Sequence, residues 1–203
     1  MILDHLVVAG ATLNEARAHV EDALGVAMQP GGQHAVFHTH NMLLGLEDGL
    51  YLEAIAADPS RPAPDRPRWF DLDRFAGPAR LSNWVVAVPD LPAALAQAPE
   101  GCGAPVDLQR GDLRWQMAVS GDGTTPYDNL WPPMIGWPGD VVHPATLLVP
   151  SGVRLRRLTL SHPDALNFKR RLAPFLTDDR IAIEPGEAGM HAAFDTPHGS
   201  RSL

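Results

Sequence analysis

A strand followed by a helix occurs three times along this chain, and this repetition constrains the fold more than any other feature of the sequence. Runs rich in apolar and β-branched residues begin at residues 3, 81 and 155 (LDHLVVAG, LSNWVVAV and LRRLTLSH), and a segment with a helix start signal follows each of them. Shorter strand-like runs come after each helix. The sequence therefore predicts an α+β protein of repeated βαβββ units, because duplication at a long period decides the architecture of a whole chain.

Start signals for the helices support the repeat. Thr12 and Glu15 have the spacing of a capping box, in which each side chain accepts a hydrogen bond from the other residue's backbone. Asp90 is a typical N-cap residue for the second helix, and Ser161 with Asp164 resembles a further capping box before the third. Each predicted unit therefore has its own helix with a defined beginning.

Turn and breaker residues mark the boundaries between the predicted units. Four prolines between residues 59 and 67 exclude a helix or a central strand there and predict an extended connector. An Asp-Gly pair at residues 48 and 49, between two apolar runs, predicts a tight hairpin. We expect one compact domain with these parts: 1–57, first βαβββ module; 58–80, proline-rich connector; 81–138, second βαβββ module; 139–153, loop; 154–203, third βαβββ-like unit.

Composition and charge narrow the range of partners. The 203 residues include 24 acidic and 16 basic side chains, which gives a formal net charge of −8 at pH 7. An acidic chain without a basic stripe argues against nucleic acid as a partner, and no apolar stretch approaches the roughly 20 residues that span a bilayer. The single cysteine, Cys102, fits a reducing compartment, and the opening residues lack a positively charged leader. We expect a cytoplasmic protein that binds a small molecule and, because sheet edges attract further strands, forms a homodimer.

The segments DHLVVAG, GGQHAVFHTHNMLLGLEDGLYLEAIAADP and PRWFDLD resemble the vicinal oxygen chelate superfamily and, more narrowly, the bacterial glyoxalase-like domain proteins. The resemblance covers the first 75 residues well, the second unit loosely, and the third unit only by its pattern of elements. It implies that βαβββ modules pair and curl a mixed or antiparallel sheet into an open cup, with the helices on the outer face. Enzymes of this superfamily hold a divalent metal ion on the floor of the cup, with ligands from the first and last strands of the modules, while other members bind small molecules without a metal.

The resemblance places the first-strand ligand at His5 and the closing-strand carboxylate at Glu53. Alternation along a strand puts Leu3 and Val7 on the same face as His5, and Tyr51 on the same face as Glu53. Both polar groups are costly to bury in apolar strands unless they are paired, hydrogen-bonded or bound to a metal. An imidazole nitrogen with a carboxylate oxygen suits Zn, Fe, Mn or Ni. His5 and Glu53 are therefore candidate metal ligands, and Glu53 is also the candidate catalytic residue; a buried pair without a metal is the alternative.

The second half of the implied ligand set is missing. The positions that match His5 are Asn83 in the second unit and Arg157 in the third, and the closing strand of the second unit has no acidic residue. Two protein ligands rarely hold a transition metal, since catalytic sites usually supply three. His143 or His191 could complete a trio. One divalent metal and no cofactor at all are therefore equally plausible.

Four further residues are predicted contacts of a small molecule. His40 and Asn41 lie beside the entrance of a predicted strand, Asn83 faces the cup if His5 does, and Trp137 lies where the second closing strand lines the cup. Trp69 is another aromatic candidate for the wall of an apolar pocket. For each tryptophan, packing in the core is the alternative.

Two other sequence features have a simpler interpretation. Arg114 lies in the middle of a strand and could pair with an anionic ligand, although a surface or interface salt bridge is the safer assignment. Gly31 and Gly32 are too few and wrongly placed for a phosphate-binding loop, so they are predicted to form a turn.

Two functions from different classes remain. The first is a glyoxalase-like enzyme, a metal-dependent lyase, isomerase or dioxygenase that acts on a small oxygenated molecule and uses the metal to polarise a carbonyl. The second is a metal-free small-molecule binding protein of a sequestration or resistance type, with the same cup.

Overall fold

The computed structural model describes residues 1–176 and 178–203, which form twelve strands and four α-helices. In chain order these are β1 (Ile2–Ala9), α1 (Leu13–Leu24), β2 (Gln29–His34), β3 (Thr39–Leu46), β4 (Tyr51–Ala57), β5 (Arg80–Ala87), α2 (Leu91–Leu95), β6 (Ala104–Arg110), β7 (Leu113–Val119), β8 (Met134–Gly136), α3 (Pro144–Leu147), β9 (Pro150–His162), α4 (Ala165–Leu172), β10 (Ile181–Pro185), β11 (Gly189–Thr196) and β12 (Gly199–Ser202). Within these residues, no helix has the length and apolar character needed to cross a membrane.

The strands form one continuous sheet in the order β12-β11-β9-β3-β4-β1-β5-β8-β7-β6, with β2 beside β3 and β10 beside β9. β1 and β5 pair antiparallel at its centre, and in each of the first two modules the last strand runs parallel to the first. The two modules are therefore related by an approximate twofold axis between β1 and β5. The predicted fold class, α+β with a curled sheet of βαβββ modules, is confirmed.

Apolar side chains cover both faces of this sheet. On the outer face, Leu6 and Val8 of β1 belong to the same core as Val20 and Leu24 of α1. On the concave face, Val7 belongs to a second core, which contains several aromatic rings of the first two modules. The sheet thus separates a helix-covered core from an aromatic core on the inside of the cup.

Local signals explain where several elements begin and end. The capping box at α1 is present, because Thr12 Oγ1 accepts from the backbone of Glu15 at 3.2 Å and Glu15 Oε2 accepts from the backbone of Thr12 at 3.0 Å. Asp90 caps α2 through a 2.9 Å hydrogen bond from the backbone of Ala93. The predicted hairpin turn is also present: Asp48 has a positive φ of 65°, and β3 and β4 pair antiparallel on either side of it.

The third unit extends the sheet with a different strand order. β9 begins at Pro150, inside the segment predicted to be a loop, and pairs in parallel with β3. Its next strand, β10, pairs directly with β9, whereas the second strands of the first two modules lie at the far side of their modules. The capping box predicted from Ser161 and Asp164 is wrong: the Asp164 side chain makes no capping bond, because it accepts from Asn167 Nδ2 at 3.1 Å.

Candidate functional site

A pocket opens on the concave face of the sheet, between the first two modules. One part of its wall is aromatic, with Trp69, Phe70, Trp115 and Trp137. Polar side chains from β1, β3, β4 and β6 occupy another part. Its lining residues are His5, His34, Asn41, Leu43, Tyr51, Glu53, Trp69, Phe70, Arg110, Leu113, Trp115, Met117, Ile135, Trp137 and Pro144.

A β-bulge in β1 aims two consecutive side chains at each other. Leu3 pairs with Val86 and His5 with Val85, so Asp4 is an extra residue in the ladder. A bulge breaks the alternation of side chains, and as a result Asp4 Oδ1 reaches His5 Nδ1 at 2.6 Å. The prediction that Leu3 shares the face of His5 is wrong for the same reason, because Leu3 packs in the helix-covered core.

Asp4 also ties the connection between β8 and β9 to the floor of the cup. Its Oδ2 accepts from Trp137 Nε1 at 2.9 Å and lies 3.0 Å from His143 Nε2. Burial alone raises the pKa of Asp4, but hydrogen bonds from His143 and His5 and the charges of both rings outweigh it and hold the pKa well below its usual range. An ionised Asp4 fixes the proton of His5 on Nδ1, which leaves Nε2 free on the cavity side.

Glu53 lies beside that free nitrogen. Its Oε2 is 3.7 Å from His5 Nε2, and its Oε1 accepts from Asn41 Nδ2 at 2.5 Å. Burial raises the pKa of Glu53, although His5 and the hydrogen bond from Asn41 oppose the shift. Tyr51 stacks on the His5 ring at 4.5 Å, and burial raises the pKa of its phenol well above the ordinary value. The two residues that the sequence places as metal ligands thus meet in the cavity.

The amide of Asn41 has one orientation only. Its Oδ1 accepts from the backbone N–H of Gly32 at 2.7 Å, so Nδ2 must be the atom that faces Glu53. Gly31 and Gly32 lie at an irregularity within β2 and do not form the predicted turn. A Cβ at Gly31 would lie 2.1 Å from Asn41 Oδ1, so only glycine leaves room for this amide.

His34 supports the same amide from another side. Its Nε2 lies 3.5 Å from Asn41 Nδ2, and its Nδ1 lies 2.9 Å from Thr39 Oγ1. Burial, together with the charges of Arg110 and His5, lowers the pKa of His34 to about 3. The ring is therefore neutral at pH 7 and can accept from the Asn41 amide.

Arg110 brings a positive charge to the cavity that the sequence reasoning missed. It ends β6, and its Nη1 donates to Asn41 Oδ1 at 3.4 Å across the cup. The arginine considered from the sequence, Arg114, is exposed and lies outside this cavity. Alternation along the β6–β7 hairpin carries the signal, because Arg110 shares the inward face of Leu108.

The predicted small-molecule contacts divide into two groups. Asn41 and Trp137 line the cavity. His40 does not, because it follows the alternation of β3 to the opposite face from Asn41. Asn83 does not either: it is 1 % exposed and lines a separate cleft, where its amide donates to the backbone carbonyl of Asn129 at 3.4 Å.

The sequence model of a family described as "Glyoxalase-like domain" matches residues 3–176, which is most of the chain. The chain belongs to this family. It thereby belongs to the vicinal oxygen chelate superfamily, as the resemblance predicts. No curated protein matches the sequence of this glyoxalase-like protein.

Two solved structures show the same fold at low sequence identity, and a third match has a lower TM-score. A hypothetical protein from Staphylococcus aureus is 12% identical with a TM-score of 0.62, over 92% of this chain and 86% of that one. A triple mutant of 4-hydroxymandelate synthase from Streptomyces coelicolor is 14% identical with a TM-score of 0.56, over 100% of this chain and 62% of that one. Methylmalonyl-CoA epimerase from Mycobacterium tuberculosis is 17% identical with a TM-score of 0.43, over 67% of this chain and 87% of that one.

The donor atoms of this glyoxalase-like protein do not fit a resident transition metal. Two donors converge, His5 Nε2 and Glu53 Oε2, and catalytic metal sites usually supply three. Among residues 1–176 and 178–203, no three His, Cys, Asp or Glu side chains come together as a possible metal site. Neither candidate for a third ligand is available, since His143 is bound to Asp4 and His191 is exposed on β11.

Proposed function

We propose that this glyoxalase-like protein is an enzyme of the lyase or isomerase type, which moves a proton on a small oxygenated molecule with Glu53 as the base and without a resident metal. One observation carries the proposal. A carboxylate oxygen and an imidazole nitrogen lie 3.7 Å apart in the cavity wall, and each is held in position by a second residue, Asn41 and Asp4 respectively. A carboxylate and an imidazole that are each oriented by a second residue form an arrangement suited to general acid–base catalysis.

The proposed step needs no external reductant or oxidant. Glu53 takes a proton from a carbon next to a carbonyl: the C–H bond breaks, an O–H bond forms on Oε2, and the electron pair moves to the carbonyl oxygen as an enolate. A proton then returns to the opposite face of that carbon, which inverts its configuration and gives an isomer. Because burial raises the pKa of Glu53, its carboxylate is a stronger base than one in water.

His5 acts as the partner of this base. Its free Nε2 can accept the proton that Glu53 has removed, and the negative charge of Asp4 stabilises the imidazolium that results. A pair of this kind can hold the removed proton between the two halves of the reaction and exchange it with solvent. A metal-dependent or dioxygenase reaction has less support, because it requires a donor that this set does not contain.

Exchange of a carbon-bound proton with solvent tests the proposal directly. Phenylacetone and phenylpyruvate are incubated with the protein in D2O containing EDTA, and incorporation of deuterium next to the carbonyl is followed by NMR. We expect exchange above the buffer rate on at least one probe, a loss of about 100-fold or more in Glu53→Gln, and no change in the exposed control Glu187→Gln.

Each other result overturns the proposal in a specific way. Exchange that EDTA abolishes indicates a metal-dependent enzyme. Exchange that persists in Glu53→Gln would show that Glu53 is not the base. No exchange on either probe, in a protein that still binds them, indicates the small-molecule binding protein that the sequence leaves open.

The homodimer and the cytoplasmic location stay predictions. The four residues of β12 are exposed at one end of the sheet, and an edge of this kind can pair with another chain. Analytical ultracentrifugation distinguishes a dimer from a 21.9 kDa monomer.

A further inference from the structure

We infer that the cavity binds a small carboxylic acid with an aromatic group, and that Arg110 holds the carboxylate. This inference deepens the proposed function and depends on it for the identity of the site. The binding experiment below does not require catalysis, so the two can fail separately.

The guanidinium of Arg110 has N–H groups that the described residues do not use. A guanidinium carries five N–H groups, and Arg110 uses one of them in a single long contact of 3.4 Å with Asn41 Oδ1. In the part of the chain that the structure describes, no carboxylate lies within 4.0 Å of this guanidinium, whereas seven other arginines form such pairs. A half-buried arginine without an acidic partner, at the wall of a cavity, is suited to bind a carboxylate through two parallel hydrogen bonds.

The backbone of β2 holds this arginine in place. A Cβ on Gly32 would lie 2.6 Å from Arg110 Cδ, so the stem of the arginine packs directly against the glycine. Gly32 also donates its backbone N–H to Asn41 Oδ1, the same atom that Arg110 contacts. The position of the charge is therefore set by packing and hydrogen bonding before any ligand arrives.

Asn41 links the charge to the proposed base. Its Oδ1 faces Arg110 and its Nδ2 faces Glu53, so a single amide separates the two groups. A carboxylate bound at Arg110 therefore brings its neighbouring carbon atoms close to Glu53. This arrangement fits an acid whose reacting carbon lies next to the carboxylate or one atom beyond it.

The remaining wall selects the apolar part of the ligand. Trp115 and Trp137 have ring centroids 5.9 Å apart, and Trp69 and Phe70 stack at 5.3 Å. Ring faces and edges of this kind favour another aromatic ring over an alkyl chain of similar size. Trp69 also has a buried indole N–H without a hydrogen-bond partner in the described residues, which is a further donor in this wall.

A matched pair of ligands separates charge from shape. Phenylacetate and 2-phenylacetamide have nearly the same size, but only the first carries a negative charge. Their binding is followed by the fluorescence of the tryptophans that line the cavity. We expect phenylacetate to bind at least about tenfold more tightly than the amide, as a charge-assisted hydrogen bond predicts, and cyclohexylacetate to bind more weakly than phenylacetate.

Substitution of the arginine identifies the group responsible. In Arg110→Gln we expect the preference for phenylacetate to disappear while the amide binds as before, and in Arg110→Lys part of the preference to remain. Arg114→Gln, on the opposite face of the same hairpin, is the matched control and should keep the full preference. Circular dichroism and thermal unfolding check that each variant folds.

Three results overturn the inference. Equal affinity for phenylacetate and its amide would show that the carboxylate is not recognised. An unchanged preference in Arg110→Gln would show that Arg110 is not the group that recognises it. Equal affinity for cyclohexylacetate and phenylacetate would show that the site does not select an aromatic group. Binding as expected without any deuterium exchange overturns the proposed catalysis alone, and exchange on phenylacetone with no preference for the acid overturns this inference alone.

Discussion

Both of the first two modules have a β-bulge in their first strand, but the side chains that follow the bulge differ. β1 carries a bulge at Asp4, and β5 carries one at Ser82, the position that the twofold relation between the modules makes equivalent. After the first bulge comes His5, which faces the cavity; after the second comes Asn83, which is fully buried against the backbone of Asn129. At this equivalent position, the first module therefore presents a titratable side chain to the pocket, whereas the second module buries an uncharged one.

The third and fourth strands of the two modules also differ in the polarity of the side chains that line the pocket. The first module supplies Glu53 and Asn41, whereas the equivalent strands of the second supply Met117, Ile135 and Trp115. Arg110, on the last hairpin before these strands, is the exception. The comparison teaches that the two halves contribute different groups to the pocket: the first supplies the Glu53–His5 pair proposed for proton transfer, and the second supplies part of the aromatic wall and the guanidinium of Arg110.

The largest expected effect contrasts a residue from each half. Glu53→Gln should lower deuterium exchange by about 100- to 10,000-fold, because it removes the general base. Met117→Leu, a swap of similar volume in the wall of the second module, should change the rate by less than a few fold and the stability by less than about 1.5 kcal/mol. Exchange rates from NMR and urea unfolding measure both. A similar loss of rate in the two variants would break the division of roles.

The next effect concerns the contact between the halves. Asp4→Asn leaves one acceptor oxygen for the ring N–H groups of Trp137, His143 and His5, so at least one of these buried donors faces the new amide N–H2. We expect a loss of about 2–5 kcal/mol in the free energy of unfolding. Asp195→Asn, an exposed control, should cost less than about 1 kcal/mol. Equal, small losses would show that Asp4 does not join the modules.

Gly31→Ala tests the close approach of Gly31 to Asn41 in the first module. The new Cβ would lie 2.1 Å from Asn41 Oδ1, so the amide must move away from Glu53. We expect a destabilisation of about 1–3 kcal/mol and a fall in exchange of about tenfold, as the loss of one hydrogen bond to a charged group predicts. In Gly121→Ala, where a Cβ meets nothing within 4 Å, both quantities should stay near wild type. An unchanged exchange rate in Gly31→Ala would mean that Asn41 does not position Glu53.

The smallest expected effect is a pH dependence that arises in the first module. His34 has a folded pKa of about 3 and an ordinary value of 6.5, so between these values the unfolded state binds more protons. Stability from this residue is therefore complete above pH 6.5 and falls as the pH falls, by up to about 1.4 kcal/mol per pH unit. Urea unfolding between pH 7 and pH 5 should show a shallower dependence in His34→Gln than in wild type or in the exposed control His191→Asn.

The comparison between wild type and His34→Gln isolates this one ring. The raised pKa of Glu53 acts in the opposite direction, because the folded state holds its proton more tightly, but it is present in both proteins and cancels in the difference. Equal pH dependence in the two proteins would show that the His34 ring is not buried in its neutral form.

Local patterns in the sequence are enough for much of the architecture. The repeat, the capping box at Thr12 and the hairpin at Asp48 depend on residues close together in the chain, and all three are confirmed. The family resemblance, supported by alternation within each strand, puts His5 and Glu53 on one side of the sheet.

What the sequence does not reveal depends on contacts between distant segments. The bulge that turns Asp4 is defined by its register against β5, some 80 residues later, and a single-strand pattern contains no trace of it. Arg110 reaches the site only because the curled sheet brings β6 across to β3. The strand order of the third unit is set in the same way, since β10 could pair with either neighbour on local grounds alone.

The bulge in β5 has a consequence for the half of the molecule that carries no titratable pair. Ser82 and Asn83 occupy the same two steps of the chain path as Asp4 and His5, so the main chain there is already shaped for a carboxylate followed by an imidazole. A second acid–imidazole couple would need two new side chains and no new bend. The two modules thus share the course of the backbone at this position and differ only in the side chains that it carries.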